Sequence, residues 1–71
     1  MENLNFLIGN KLKEERIKLG YSQESFADII GIHRTYIGTI ERGEKSITII
    51  TLSKICNALN MKMSDFLKNI D

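Results

Sequence analysis

A turn of about three residues, Gly31 to His33, separates two short segments that both have the apolar spacing of an α-helix. The apolar positions are Phe26, Ile29 and Ile30 before the turn and Tyr36, Ile37 and Ile40 after it. At about 100° of rotation per residue, each set falls on one side of its helix. So short a connection predicts two helices that cross at a steep angle.

Three further segments predict helices, which makes the expected fold class all-α, a compact bundle of five helices. The absence of proline and the small number of aromatic residues also favour helices over a sheet. The predicted ranges are 4–19, 22–30, 34–42, 49–59 and 63–69. A chain of 71 residues buries only about 60% of its unfolded surface, so we expect one domain over residues 1–71, with one core and no deep pocket for a small-molecule ligand.

Signals for helix ends lie at these boundaries. Ser22 and Thr48 are good N-caps, whereas Gly31 and Asn60 can take the left-handed conformation that ends a helix. Leu4, Ile8, Leu12 and Leu19 are predicted to form the buried stripe of the first helix. Leu52, Ile55, Cys56 and Leu59 are predicted to do the same in the fourth helix, and Phe66 to close the core from the fifth.

The side of the third helix opposite its apolar residues has an unusual composition for a surface in water. It carries Arg34, Thr35, Gly38, Thr39 and Arg42. Surface positions gain stability from strong helix formers, and a glycine inside a helix costs about 1 kcal/mol against alanine. A face that gives up helix stability in this way suggests a role in binding.

Charge and composition exclude several function classes. The net charge is +1, and residues 31–63 contain five basic and two acidic residues, a local excess of +3 that is only a weak sign of a nucleic-acid partner. The single Cys56 rules out an internal disulfide and a Cys-based zinc finger. We find no nucleophile with a base at a sensible spacing, no metal cluster, no membrane span and no signal peptide. We therefore expect a cytoplasmic, non-enzymatic protein without a cofactor or metal.

The stretch RIKLGYSQESFADIIGIHRTYIGTIERGEK, residues 16–45, resembles the Cro/C1-type helix-turn-helix proteins, also called the XRE family. The matching residues are Arg16, Leu19-Gly20, Ser22-Gln23-Glu24, Ala27, Gly31, Tyr36-Ile37, Ile40-Glu41 and Gly43. The resemblance implies a helix-turn-helix motif at about 22–42 and a transcriptional regulator that binds palindromic operator DNA as a homodimer. Restriction-modification controller proteins, small phage repressors and some antitoxins share this pattern, and the sequence leaves the choice among them open. RNA polymerase is a further candidate partner.

The same resemblance implies roles for individual residues, because the second helix of such a motif lies in the major groove. The implied base contacts are Arg34, Thr35 and Thr39, with Gly38 allowing close approach of the backbone. The implied phosphate contacts are Gln23, His33, Tyr36, Arg42 and Lys45. Arg16 and Glu41 are expected to form a structural ion pair. The apolar residues that exceed the needs of one small core suggest a dimer interface formed by Ile47, Ile50, Met63, Leu67 and Ile70.

A protein-interaction module is the alternative. The same fold could bind a protein, as an antitoxin binds its toxin, without reading DNA. A protein-binding face is expected to be apolar, whereas the exposed face of the third helix is small, polar and basic.

Overall fold

The structure, a computed structural model, describes residues 3–70, and within that range the chain forms five α-helices and no strand. In chain order the helices are α1 (Leu4–Lys18), α2 (Gln23–Ile30), α3 (Arg34–Glu41), α4 (Ile49–Ala58) and α5 (Met63–Leu67). Each lies within its predicted range, so the expected all-α, five-helix fold is confirmed. No helix in the described part of the chain is both long and apolar enough to cross a membrane.

The helix ends form as the sequence predicts. The Ser22 hydroxyl accepts the backbone N–H of Ser25 at 3.0 Å, and the Ser25 hydroxyl accepts that of Ser22, which completes a capping box. Thr48 accepts a backbone N–H in the first turn of α4 at 3.1 Å. Gly31 and Asn60 have φ values of 76° and 58°, the left-handed conformation expected after α2 and α4. The capping box at Ser22 and the left-handed Gly31 therefore define the two ends of α2, and Thr48 and Asn60 flank α4 in the same way.

One apolar core holds the helices together. Its six largest fully buried side chains are Leu12, Phe26, Ile37, Ile40, Ile55 and Phe66. Phe66 closes the core from α5, although the N-cap residue of that helix, Lys62, makes no side-chain capping bond. Cys56 is also buried, as predicted, and burial raises the pKa of its thiol.

Three predicted core residues are instead exposed. Leu4, Leu19 and Ile29 have exposed fractions of 41%, 52% and 53%. Leu4 and Leu19 lie at the two ends of α1, where the residue spacing continues but the bundle does not cover the helix. On α2 the small Ala27 is buried beside Phe26, which turns Ile29 towards the surface.

Gly9 sets how closely α1 and α3 approach each other. A β-carbon placed on Gly9 would lie 2.8 Å from the carbonyl oxygen of Glu41 and closer still to that of Ile40. Such distances are too short for any side chain, so the two helix backbones touch at this glycine. This contact fixes the position of α3, and with it the direction of the opposite face of that helix.

Candidate nucleic-acid interface

A buried polar network ties the end of α3 to α1 and to the start of α2. Arg16 donates from Nε to Oε2 of Glu41 at 2.7 Å and from Nη2 to Oε1 at 3.0 Å, and the two side chains are only 8% and 3% exposed. Arg16 Nη1 donates to the carbonyl oxygen of Tyr21 at 2.7 Å. Gln23 Nε2 donates to Oε1 of Glu41 at 3.0 Å, a contact that was not predicted. Glu41 therefore holds both the ion pair and the first residue of α2 in place.

The outer face of α3, defined as Arg34, Thr35, Gly38, Thr39 and Arg42, lies opposite the buried Ile37 and Ile40. Arg34 and Thr35 are exposed at its first turn. Thr39 is half-buried, and its hydroxyl donates to the carbonyl oxygen of Tyr36 at 2.7 Å. Because that hydrogen is already used, Thr39 offers a base an acceptor lone pair and a methyl group.

His33 is the N-cap residue of α3 and also faces solvent. Its Nδ1 accepts the backbone N–H of Thr35 at 3.0 Å, so the side chain acts as the N-cap that serine or threonine more often provides. Since Nδ1 accepts a hydrogen bond, the proton of the neutral ring lies on Nε2. His33 can therefore cap α3 and still offer an N–H to a phosphate, which reconciles the expected contact with its position as a cap.

Gln23 and Arg42 converge over Gly38 at the other end of α3. A β-carbon placed on Gly38 would lie 3.0 Å from Arg42 Nη1 and 3.6 Å from Gln23 Oε1. Gly38 is thus covered by these two side chains and buried, and close approach of its backbone to a duplex stays a prediction that requires these side chains to move. The glycine leaves room for two expected phosphate-binding groups to lie side by side.

Both arginines of the outer face are paired with carboxylates. Arg34 Nη1 lies 3.3 Å from Oε1 of Glu24. Arg42 donates from Nε and Nη2 to the two oxygens of Glu44 at 2.8 Å and 3.2 Å. The hydrogen bonds of this second pair raise the pKa of the Arg42 guanidinium and lower that of the Glu44 carboxyl. Neither pairing was predicted. Glu44 is already counted in the local excess of +3, so only the pairing with Glu24, which lies outside residues 31–63, offsets a further positive charge.

Two other predicted phosphate contacts lie beside this face. Lys45 is exposed in the loop after α3, and no acidic side chain within residues 3–70 forms a salt bridge with it. Tyr36 is half-buried and packs against the core.

Across residues 3–70, no group of three or more His, Cys, Asp or Glu side chains is arranged to hold a metal ion.

A second surface, an apolar groove of about 370 Å³, lies away from the outer face of α3. Its walls are Leu4, Ile8, Ile47, Thr48, Ile49, Leu52, Leu67 and Ile70. Of the five residues predicted for a dimer interface, three line this groove: Ile47, Leu67 and Ile70. Ile50 is 69% exposed but does not line the groove, and Met63 packs partly buried against the core.

Two exposed residues of this groove were missed. Ile49 is 67% exposed in the first turn of α4, and Leu4, which had been assigned to the core, is 41% exposed. Ile70 is only 9% exposed and so has little surface left for a partner. The one available signal for Ile49 in the sequence was its position directly after the N-cap residue Thr48.

A capped helix, a glycine turn and a second helix with a polar outer face, all supported by α1 and α4, define a protein of the helix-turn-helix class. A family model described as "Helix-turn-helix" matches residues 12–66, which is most of the chain. The chain belongs to this family.

Individual known proteins are similar to this chain over most of their length. Control protein C.MunI of Mycoplasma sp is 38% identical over 72 aligned positions, which cover all of this chain and 97% of that protein. The restriction-modification controller protein C.AhdI of Aeromonas hydrophila superposes with a TM-score of 0.83 at 31% identity, covering 87% of this chain and 90% of that one. The restriction-modification controller protein C.Esp1396I, solved as a tetramer in complex with its natural 35 base-pair operator, gives 0.86 at 28% identity, with coverages of 99% and 92%.

Proposed function

We propose that this protein is a sequence-specific regulator of transcription that inserts α3 into the major groove of operator DNA. The observation that carries the proposal is the outer face of α3, which is small, polar and exposed at its first turn while its opposite side is fixed in the core. An α-helix with its side chains is about 10–12 Å across, and the major groove, about 12 Å wide, admits it. The operator complex of C.Esp1396I supports this proposal.

In the proposed complex, residues at the two ends of α3 have different tasks. Arg34 and Thr35 meet base edges near the start of the helix, and Thr39 does so one turn later. His33 at one end, with Gln23, Arg42 and Lys45 at the other, contact phosphates on either side of the groove. Such phosphate contacts fix the register of the protein on the duplex but carry no sequence information themselves.

Arg34→Ala is expected to reduce discrimination at one base position by about 1–3 kcal/mol, because arginine recognises guanine with two hydrogen bonds. The measurement is a competition binding assay on the DNA upstream of the gene and on single-base variants of the bound site. Lys54→Ala, which removes an exposed positive charge from α4, is the matched control and should leave discrimination unchanged. Equal weakening by Arg34→Ala on every sequence would show that Arg34 contacts only the backbone.

The apolar groove is proposed as the interface of a two-fold homodimer, which places two copies of α3 on a palindromic operator. Ile49 and Leu4 are large apolar side chains exposed in one copy, and Leu67 is partly exposed beside them, so a second copy of the same groove would cover all three. The tetramer formed by C.Esp1396I on its operator supports self-association as a property of this kind of fold.

Ile49→Lys is expected to weaken the dimer at least about tenfold, because a charge would be buried at the centre of an apolar contact. Ile29→Lys places the same charge at another exposed isoleucine, 53% exposed on α2, and should leave the dimer intact. Sedimentation equilibrium over a range of concentrations measures both variants. A dimer of Ile49→Lys as tight as wild type would place the interface elsewhere.

We propose that this protein belongs, among such regulators, to the controller proteins of restriction-modification systems. C.MunI and C.AhdI are both similar to this chain over nearly their whole length. Genes for a methyltransferase and an endonuclease beside this gene would support that assignment, whereas a neighbouring toxin gene would favour an antitoxin. We propose that the protein acts in the cytoplasm by binding rather than by catalysis, with RNA polymerase as a further partner of the operator-bound dimer.

A further inference from the structure

The pairing of Arg42 with Glu44 is held in place by the backbone between them. Arg42 is the C-cap of α3, and Gly43 then turns the chain with a φ of 73°. The backbone N–H of Glu44 donates to the carbonyl oxygen of Thr39 at 2.9 Å. This turn returns the Glu44 carboxylate to the outer face of α3, where it meets the Arg42 side chain.

The Glu44 carboxylate occupies the atoms of Arg42 that would bind a phosphate. A guanidinium presents its N–H groups as a planar fork that fits two oxygens of a carboxylate or of a phosphate. Here Nε and Nη2 donate to the two oxygens of Glu44, while Nη1 lies over Gly38. A phosphate must therefore displace Glu44 to engage the same fork, or approach next to its negative charge.

We propose that Glu44 competes with the DNA backbone for Arg42 and so limits how tightly the protein holds any duplex, an inference that rests on the proposed DNA-binding function. Backbone contacts do not read sequence, so the competition lowers affinity for operator and for unrelated DNA alike. Glu44 thus sets the strength of binding, while Arg34, Thr35 and Thr39 set its specificity.

A double-mutant cycle of Arg42→Gln and Glu44→Gln tests the competition, with binding followed by fluorescence anisotropy on a short mixed-sequence duplex and on the operator. Glu44→Gln should tighten binding by about two- to fivefold on both duplexes, as expected when an exposed ion pair is released. In the Arg42→Gln background the same change should tighten binding clearly less, since only the repulsion between Glu44 and phosphate remains to be removed. The salt dependence of Glu44→Gln should be steeper than that of wild type by up to about one unit of slope.

Three outcomes would overturn the proposal. Equal tightening in both backgrounds would mean that Glu44 acts only as a repelling charge. Weaker binding of Glu44→Gln would mean that Glu44 positions Arg42 for DNA. Failure of the wild-type protein to bind any duplex would instead reject the DNA-binding function, and the competition with it.

Glu14→Gln is the matched control for this cycle. Glu14 is exposed on α1, where its Oε1 lies 4.0 Å from Lys11 Nζ. Its substitution removes the same charge from a residue that is not part of the outer face of α3 and does not pair with Arg42. It should change affinity much less than Glu44→Gln does. Thermal melts by circular dichroism should show all these variants folded, because Arg42 and Glu44 are both exposed.

Discussion

Arg16→Ala is expected to lower the free energy of unfolding by about 3–5 kcal/mol, because it would leave the Glu41 carboxylate buried without its cation. In wild type that carboxylate accepts two hydrogen bonds from Arg16 and is only 3% exposed. The substitution also removes the donor to the Tyr21 carbonyl oxygen. For a domain of this size each 1 kcal/mol corresponds to about 4–8 °C in Tm. Folded domains are stable by only about 0.05–0.15 kcal/mol per residue, so the loss is a large share of the total stability.

Thermal and urea unfolding of Arg16→Ala beside Lys13→Ala measures this loss. Lys13 is exposed on the same helix, so its substitution should leave the melt near that of wild type. Replacing both Arg16 and Glu41 with methionine should recover part of the stability, because an apolar pair often substitutes for a buried ion pair without loss. A cooperative melt of Arg16→Ala near the wild-type temperature would contradict the structural role of the pair.

Gly9→Ala is expected to destabilise the protein by about 1–3 kcal/mol or more, the usual range when a core is overpacked. Inside a helix the same change would ordinarily stabilise by about 1 kcal/mol. The sign reverses because the new methyl group would meet the carbonyl oxygens of Ile40 and Glu41, which belong to the backbone of α3 and cannot move aside alone. Relief of the clash requires α1 and α3 to separate, which also displaces Ile40 and the outer face.

Gly38→Ala is the matched control, since Gly38 is a helical glycine that is also buried. Its added methyl group would lie 3.0 Å from Arg42 Nη1, the end of a flexible and exposed side chain, and 3.6 Å from Gln23 Oε1, an ordinary van der Waals contact. The control should therefore melt near or above wild type, while Gly9→Ala melts well below it. Equal or higher stability of Gly9→Ala would contradict the close crossing of α1 and α3.

Local chemistry explains why the ends of α2 and the start of α4 could be predicted from the sequence. Ser22, Gly31 and Thr48 act within a few residues of themselves, and each does in the structure what its type favours. The errors at Leu4, Leu19 and Ile29 have another origin. Residue spacing shows which side of a helix is apolar, but not how far along that side a neighbouring helix reaches.

The candidate site was only partly predictable for the same reason. Arg34 and Thr35 could be placed on an exposed face from spacing alone, and the structure exposes both. The role of Gly9 depends on a helix about thirty residues later in the chain, which no local pattern reports. The pairing of Arg42 with Glu44 depends on the left-handed turn at Gly43 and on side-chain direction, so the sequence showed two charges but not their contact.

The buried network also connects stability with binding. Glu41 accepts hydrogen bonds from Arg16 and from Gln23, so a change that disturbs the ion pair also releases the side chain proposed to hold a phosphate at the start of α2. The binding of Glu41 variants should therefore be compared with that of wild type at temperatures where variant and wild type are both folded, because unfolding could otherwise be mistaken for a loss of binding.

Selection of bound duplexes from a random-sequence DNA library tests most directly whether the outer face of α3 reads bases. The wild-type protein is predicted to enrich an inverted repeat, and Arg34→Ala to lose selectivity at one position in each half of that repeat. Enrichment of no sequence by the wild-type protein, under conditions where it is folded, would contradict the account.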